Sequence, residues 1–168
     1  MGNRMSLRSV RRILGIDPGS QRTGYGIIDV RGNSMSPAAW GVIRTDATDS
    51  FPDRLYHIHE KLSELILLHK PTEAAVENVF LAKNAASALK LGQARGAAIV
   101  TCRIHGVPVH EYGAKEIKTA ATGYGAASKE QVGGMVCRLL DIREAVPPDA
   151  SDALAMAFCR AVTRKIVP

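Results

Sequence analysis

No run of apolar residues in the 168-residue chain approaches the ~20 that a membrane-spanning helix requires, so a helical membrane protein is excluded and the chain reads as soluble. The opening segment MGNRMSLRSVRR carries charge but lacks the apolar core of a secretory signal. Cysteine is scarce: Cys102, Cys137 and Cys159 are odd in number, widely spaced and without a C-x-x-C pair. That argues against both a disulfide framework and a zinc site. Each lies among apolar neighbours, as Cys159 does in AMAFC, so buried reduced thiols in a cytoplasmic protein are expected. There is no internal repeat, low-complexity segment or linker, and the length suits one well-packed domain rather than two.

The net charge is +6, from 22 basic and 16 acidic residues. Arg4, Arg8, Arg11 and Arg12 fall in a stretch without acids, leaving 18 basic residues against 16 acidic in the remainder. A nearly neutral body is weak evidence for a polyanionic partner. If four acids are engaged on metal ions, the balance becomes 18 against 12, and the basic excess returns. The charge argument therefore depends on whether such an acid set exists.

RRILGIDPG reads as a strand ending at Pro18-Gly19, and TGYGIIDV as its antiparallel partner. AAWGVIRT, beyond a turn at RGNSMSP, makes the third strand of a meander. From Pro52, Leu55, Ile58, Leu62, Leu65 and Ile66 recur at helical spacing until Pro71 stops the helix. EAAVENV has strand length. A long helix follows from about Asn84 to His105, with Ala88, Leu91, Ala94, Ala98 and Cys102 along one side. That stripe suits the core more simply than a dimer contact. VPVHEY is a fifth strand, for which Pro108 favours an edge. AKEIKTAA, SKEQVGGMVCRLL and DASDALAMAFCRAVTRK are helical, with Gly133 and Gly134 each costing the second of these about 1 kcal/mol relative to alanine. The pattern is α/β: a five-stranded mixed sheet, a three-strand antiparallel meander plus two parallel strands, flanked by helices. It forms a single domain over residues 13–165, and residues 1–12 are expected to be a disordered basic tail.

Right-handed crossover places the fourth strand beside the first. Asp17 and Glu77 then stand at neighbouring C-terminal strand ends, where ligands of such sheets gather. Asp149 and Asp152, at i and i+3, share one face at the start of the last helix. Should that helix cover the sheet, four carboxylates from three distant segments meet. Such a cluster needs protons or cations to neutralise it. All-oxygen donors favour a hard ion, Mg2+ or Mn2+. Two such ions about 3.5–4 Å apart suit in-line phosphodiester hydrolysis. Each acid also has a plainer reading: Asp149 as a helix cap, Asp152 as a first-turn acid, Glu77 as a surface acid and Asp17 as a turn initiator.

ILGIDPGSQRTGYGII, VENVFLAKNAASALKLGQARGAAIV and DASDALA together resemble the RuvC family of bacterial Holliday-junction resolvases, in the ribonuclease H-like superfamily. The resemblance spans about Ile13 to Ala161. It implies a ribonuclease H-like fold and places the family's four metal-binding acids on Asp17, Glu77, Asp149 and Asp152. It further implies a homodimer that nicks opposed strands of a four-way DNA junction symmetrically in recombination and repair. Ligatable ends, a thymine-rich preference and cooperation with the RuvA and RuvB branch-migration complex are implied as well. Phe80 matches an aromatic that stacks on an unpaired base, and Lys118 and Lys129 match basic residues important for cleavage; core packing and solvated lysines are their plainer readings. Lys83, Lys90 and Arg95, flanking the long helix, are candidate phosphate contacts. Asn78 stands where the family more often has glutamine.

Three other readings compete. DPGSQRTGYG is also similar to the phosphate hairpin of the actin and sugar-kinase superfamily, but the second hairpin and second domain which that fold needs are not found. A nuclease of the same fold that processes ribosomal RNA precursors would share GIDPG without the VFLAKNAASALKLGQARG block. A noncatalytic junction-binding module would have no need of all four acids.

Overall fold

The computed structural model describes residues 10–78 and 84–163, so the segment before Val10 and the side chains of Phe80 and Lys83 lie outside the described residues. Strand β1 (Arg11–Asp17) pairs antiparallel with β2 (Arg22–Arg31), and β2 pairs antiparallel with β3 (Ser34–Arg44). On the other side of β1 lies β4 (Glu73–Glu77), parallel to it, and then β5 (Val109–Tyr112), parallel to β4 at the sheet edge. The order β3-β2-β1-β4-β5 is the expected meander joined to two parallel strands. Helices α1 (Phe51–His69) and α2 (Ala85–Ile104) pack on one face. The other face carries α3 (Ala114–Thr122), α4 (Lys129–Leu139) and α5 (Pro148–Val162).

Local chemistry sets the boundaries. Ser50 caps α1 by accepting from the Asp53 N–H, and the helix ends where Lys70 turns left-handed before Pro71. Asn84 caps α2 through the N–H of Ala86. The turn expected over RGNSMSP is much shorter: Gly32, at φ 63°, reverses the chain and β3 begins at Ser34. Strand β3 accommodates Pro37 because it is an edge strand with a bulge beside Ile27 and Ile28. On α2, Ala94, Ala98 and Cys102 are buried in the core. All three cysteines are free, and burial pushes the Cys102 thiol up to about 12, leaving it inert.

Arg11 and Arg12 belong to β1 and not to a basic tail. Arg12 grips Asp29 with two hydrogen bonds, at 2.6 and 2.8 Å, and holds its carboxyl below the usual range. Arg11 and Arg160 both donate to the buried Glu73, at 2.8 and 2.6 Å. These pairs tie the end of the sheet remote from Asp17.

Period-2 alternation sends Leu14 and Ile16 towards α1 and α2, and Ile13, Gly15 and Asp17 towards α5. Across the ladder, Gly15 stands opposite Gly26 and Asp17 opposite Gly24. A Cβ at Gly15 would overlap the Ala153 carbonyl, one at Gly24 the Asp149 carbonyl, and one at Gly26 the Leu154 side chain. Helix α5 answers with small residues, Ala150, Ala153, Ala155, Ala157 and Ala161, all buried. Backbone therefore lies on backbone, and α5 is seated directly above Asp17.

Gly15→Ala should cost about 3 kcal/mol, because the overlapping atom is main chain and cannot swing aside. Gly134→Ala, in the open on α4, should instead stabilise by about 0.5–1 kcal/mol. Thermal melts of the two variants check the contrast; equal melting temperatures would contradict the seating of α5.

Candidate active site

Asp17 ends β1 and Glu77 ends β4, one residue beyond the last pair these two strands make with each other, Ile16 and Val76. Both point to the α5 face, in register with Gly15 and Ala75. Pro148 occupies the first turn of α5 and Pro147 is its cap, so Asp149 is free of capping duty. Asp149 and Asp152 project from that first turn over the strand ends. The four acids anticipated from the sequence are thus gathered, and Asp17 feels the charge of each of the other three.

Burial pushes the Asp17 carboxyl up to about 7, and repulsion from Asp152, Asp149 and Glu77 adds to it, against a pull down from Lys129. Glu77 is raised for the same first reason, with Asp152 adding and Lys129 and Lys118 opposing. The Lys129 ammonium donates to Asp152 at 2.7 Å, which raises its own pKa. Among the described residues no three carboxylate, imidazole or thiol groups already surround one ion position. Two of the acids hold cationic side chains instead: Lys129 on Asp152, and Arg22, whose Nε lies 2.6 Å from Asp149. Carboxylate-only donors whose mutual repulsion favours protonation fit a hard divalent ion, which would relieve that repulsion.

Lys118 and Lys129 line one cleft with Glu77, Asp152, Ile117, Val132 and Met156, between α3, α4 and α5. Lys90 is exposed on α2. Arg95, a candidate phosphate contact, is engaged within the fold: its Nε donates to the Glu77 carbonyl at 3.0 Å and its terminal nitrogen to Glu111 at 2.5 Å. It therefore braces the ends of β4 and β5 from the opposite face. Arg22 was not anticipated; its one legible signal is its position two residues before Gly24, on the strand face that meets α5. Thr23, fully buried, closes the hairpin by donating to the Gly19 carbonyl at 2.9 Å.

Known proteins similar to this chain fall in one family. Residues 13–160 match the family described as crossover junction endodeoxyribonuclease RuvC. A protein of that name from Coxiella burnetii (strain Dugway 5J108-111) is 53% identical over 156 residues, 93% of this chain and 90% of that one. Its counterpart from Methylococcus capsulatus is 56% identical over 148 residues, 88% of each. In structure, T. thermophilus RuvC in complex with a Holliday junction substrate superposes with a TM-score of 0.85 at 34% identity, over 90% of this chain and 93% of that one. The yeast mitochondrial resolvase Ydc2 shares the fold, with a TM-score of 0.66 at 14% identity.

The raised Asp17 value has a consequence for stability. A carboxyl near 7 in the folded chain and ~3.9 when unfolded stabilises the fold fully below about pH 4. That contribution is lost as pH rises through 7. The metal-free protein should therefore melt lower at pH 8 than at pH 5. Asp17→Asn should flatten this dependence and melt several degrees higher than the wild type at pH 8. Melting curves across the range check it; a parallel pH dependence in the variant would contradict the electrostatic account.

Proposed function

The chain belongs to the RuvC family of crossover junction endodeoxyribonucleases, and from that premise we propose that its acid site cleaves four-way DNA junctions by metal-dependent phosphodiester hydrolysis. The observation that carries this reading is the meeting of Asp17, Glu77, Asp149 and Asp152 at the strand ends under α5. Those four side chains are the ligands we assign to two Mg2+ ions, with Mn2+ an effective substitute. Bound ions of this kind activate water and stabilise the leaving oxygen.

The chain's own side chains do the rest. Lys129 and Lys118, in the cleft beside Glu77 and Asp152, face the scissile phosphate and offset its growing charge. Phe80, three residues beyond Glu77, stacks on a base unpaired at the junction. Lys83 and Lys90 grip the backbone, adding salt-dependent affinity without reading sequence. Arg95 holds the end of β4 so that Glu77 stays in line.

Symmetric nicking needs two sites, and α2 offers a surface for pairing two copies. Leu89, Val100 and Ile104 are 67%, 56% and 65% exposed, and Gly92 and Gly96 lie open along the same side. Apolar residues at this spacing form one helical stripe distinct from the buried one. The homodimer acts in recombination and repair, in the cytoplasm, with the RuvA and RuvB branch-migration complex. No described helix is long and apolar enough to cross a membrane.

Asp17→Asn should lower paired nicking of a synthetic four-way junction in Mg2+ by roughly a thousandfold or more, since ion-mediated charge stabilisation is worth several kcal/mol. Gel-shift binding of the same junction should be retained. Nicking within tenfold of the wild type by a clean preparation would overturn the site. Binding without nicks by the wild type would favour a noncatalytic module.

A further inference from the structure

Arg22 is the first residue of β2, two before Gly24, whose missing side chain lets the first turn of α5 lie on the strand. Strand periodicity puts Arg22 on that same face, so its guanidinium reaches Asp149 across 127 residues of sequence, Nε to Oδ2 at 2.6 Å. Lys129, from α4, does the same to Asp152. The two members of the i, i+3 pair are thus each met by a cation from a different element. A hard divalent ion seeks the same carboxylate oxygens, and a guanidinium at that distance both occupies one of them and repels the incoming charge.

We propose that Arg22 is a positioning residue that stands in for a divalent cation, holding Asp149 in the metal-free protein and competing with metal for its carboxylate. This rests on the reading of the four acids as a metal site. Arg22 keeps Asp149 from being driven away by Asp17 and Asp152, and it sets the metal affinity of the site lower than the acids alone would. Were Asp149 to hold an ion through that oxygen, the guanidinium would be free to turn to the solvent side, where the Arg22 side chain is already 46% exposed. The role differs from that of an orienting hydrogen-bond partner, whose loss weakens metal binding.

The test is a Mn2+ titration of the full-length protein without DNA, followed by electron paramagnetic resonance, on the wild type, Arg22→Gln and Arg22→Lys. Arg22→Gln should bind Mn2+ about three- to tenfold more tightly, the lower end reflecting a partly exposed pair and the rest the lost repulsion. Arg22→Lys, which keeps the charge, should stay within twofold of the wild type. Tightening of less than threefold in Arg22→Gln, any weakening, or equal tightening in both variants would overturn the competition while leaving the metal site intact. A wild type that binds no Mn2+ at these acids would overturn both.

Discussion

Helix α5 can sit this close to the sheet only because β1 and β2 present glycines at the points of closest approach. Gly15 and Gly26 face each other across the ladder, and Gly24 lies opposite Asp17. Any Cβ at these positions would strike the helix backbone or Leu154. The contact is geometric before it is energetic. It fixes the height of the first turn of α5 above the strand ends to the thickness of two main chains, and that height decides whether Asp149 and Asp152 can share a site with Asp17 and Glu77. Alanine along α5 and glycine along the strands are two halves of one constraint.

The same seating creates an electrostatic debt that the rest of the site manages. Burial and like charges push Asp17 to about 7 and raise Glu77 as well. Lys129 and Arg22 offset the two aspartates of α5, while Lys118 acts on Glu77 from the neighbouring cleft. Without such counter-charges the four acids would be a liability to folding, as functional sites often are. With them the repulsion is shared between protonation and basic side chains. Arg95 adds a mechanical element, tying Glu77 to α2.

Much of this was legible from local pattern. Alternation and turn residues gave the meander, helical spacing gave α1 and α2, and the crossover rule put Asp17 beside Glu77. The acids were visible because each follows or precedes an apolar run. What local pattern could not show were contacts made across the chain. Arg11 and Arg12 resemble a basic tail until β4 supplies Glu73 and β2 supplies Asp29. Arg95 resembles a surface cation until the fold lays α2 across the ends of β4 and β5. Gly133 reads as a weak point in α4, yet its bare face is where Ser151 of α5 packs, and a Cβ there would lie 2.5 Å from the serine hydroxyl.

The central claim, that four acids brought together by a glycine-bedded helix capture divalent ions, is tested most directly by Mn2+ soaked into crystals and located by anomalous diffraction. The account predicts density within about 2.1 Å of oxygens of Asp17, Glu77 and the α5 aspartates, with Arg22 moved off Asp149. A map with no ion there, Arg22 and Lys129 still holding their aspartates at saturating Mn2+, would contradict it.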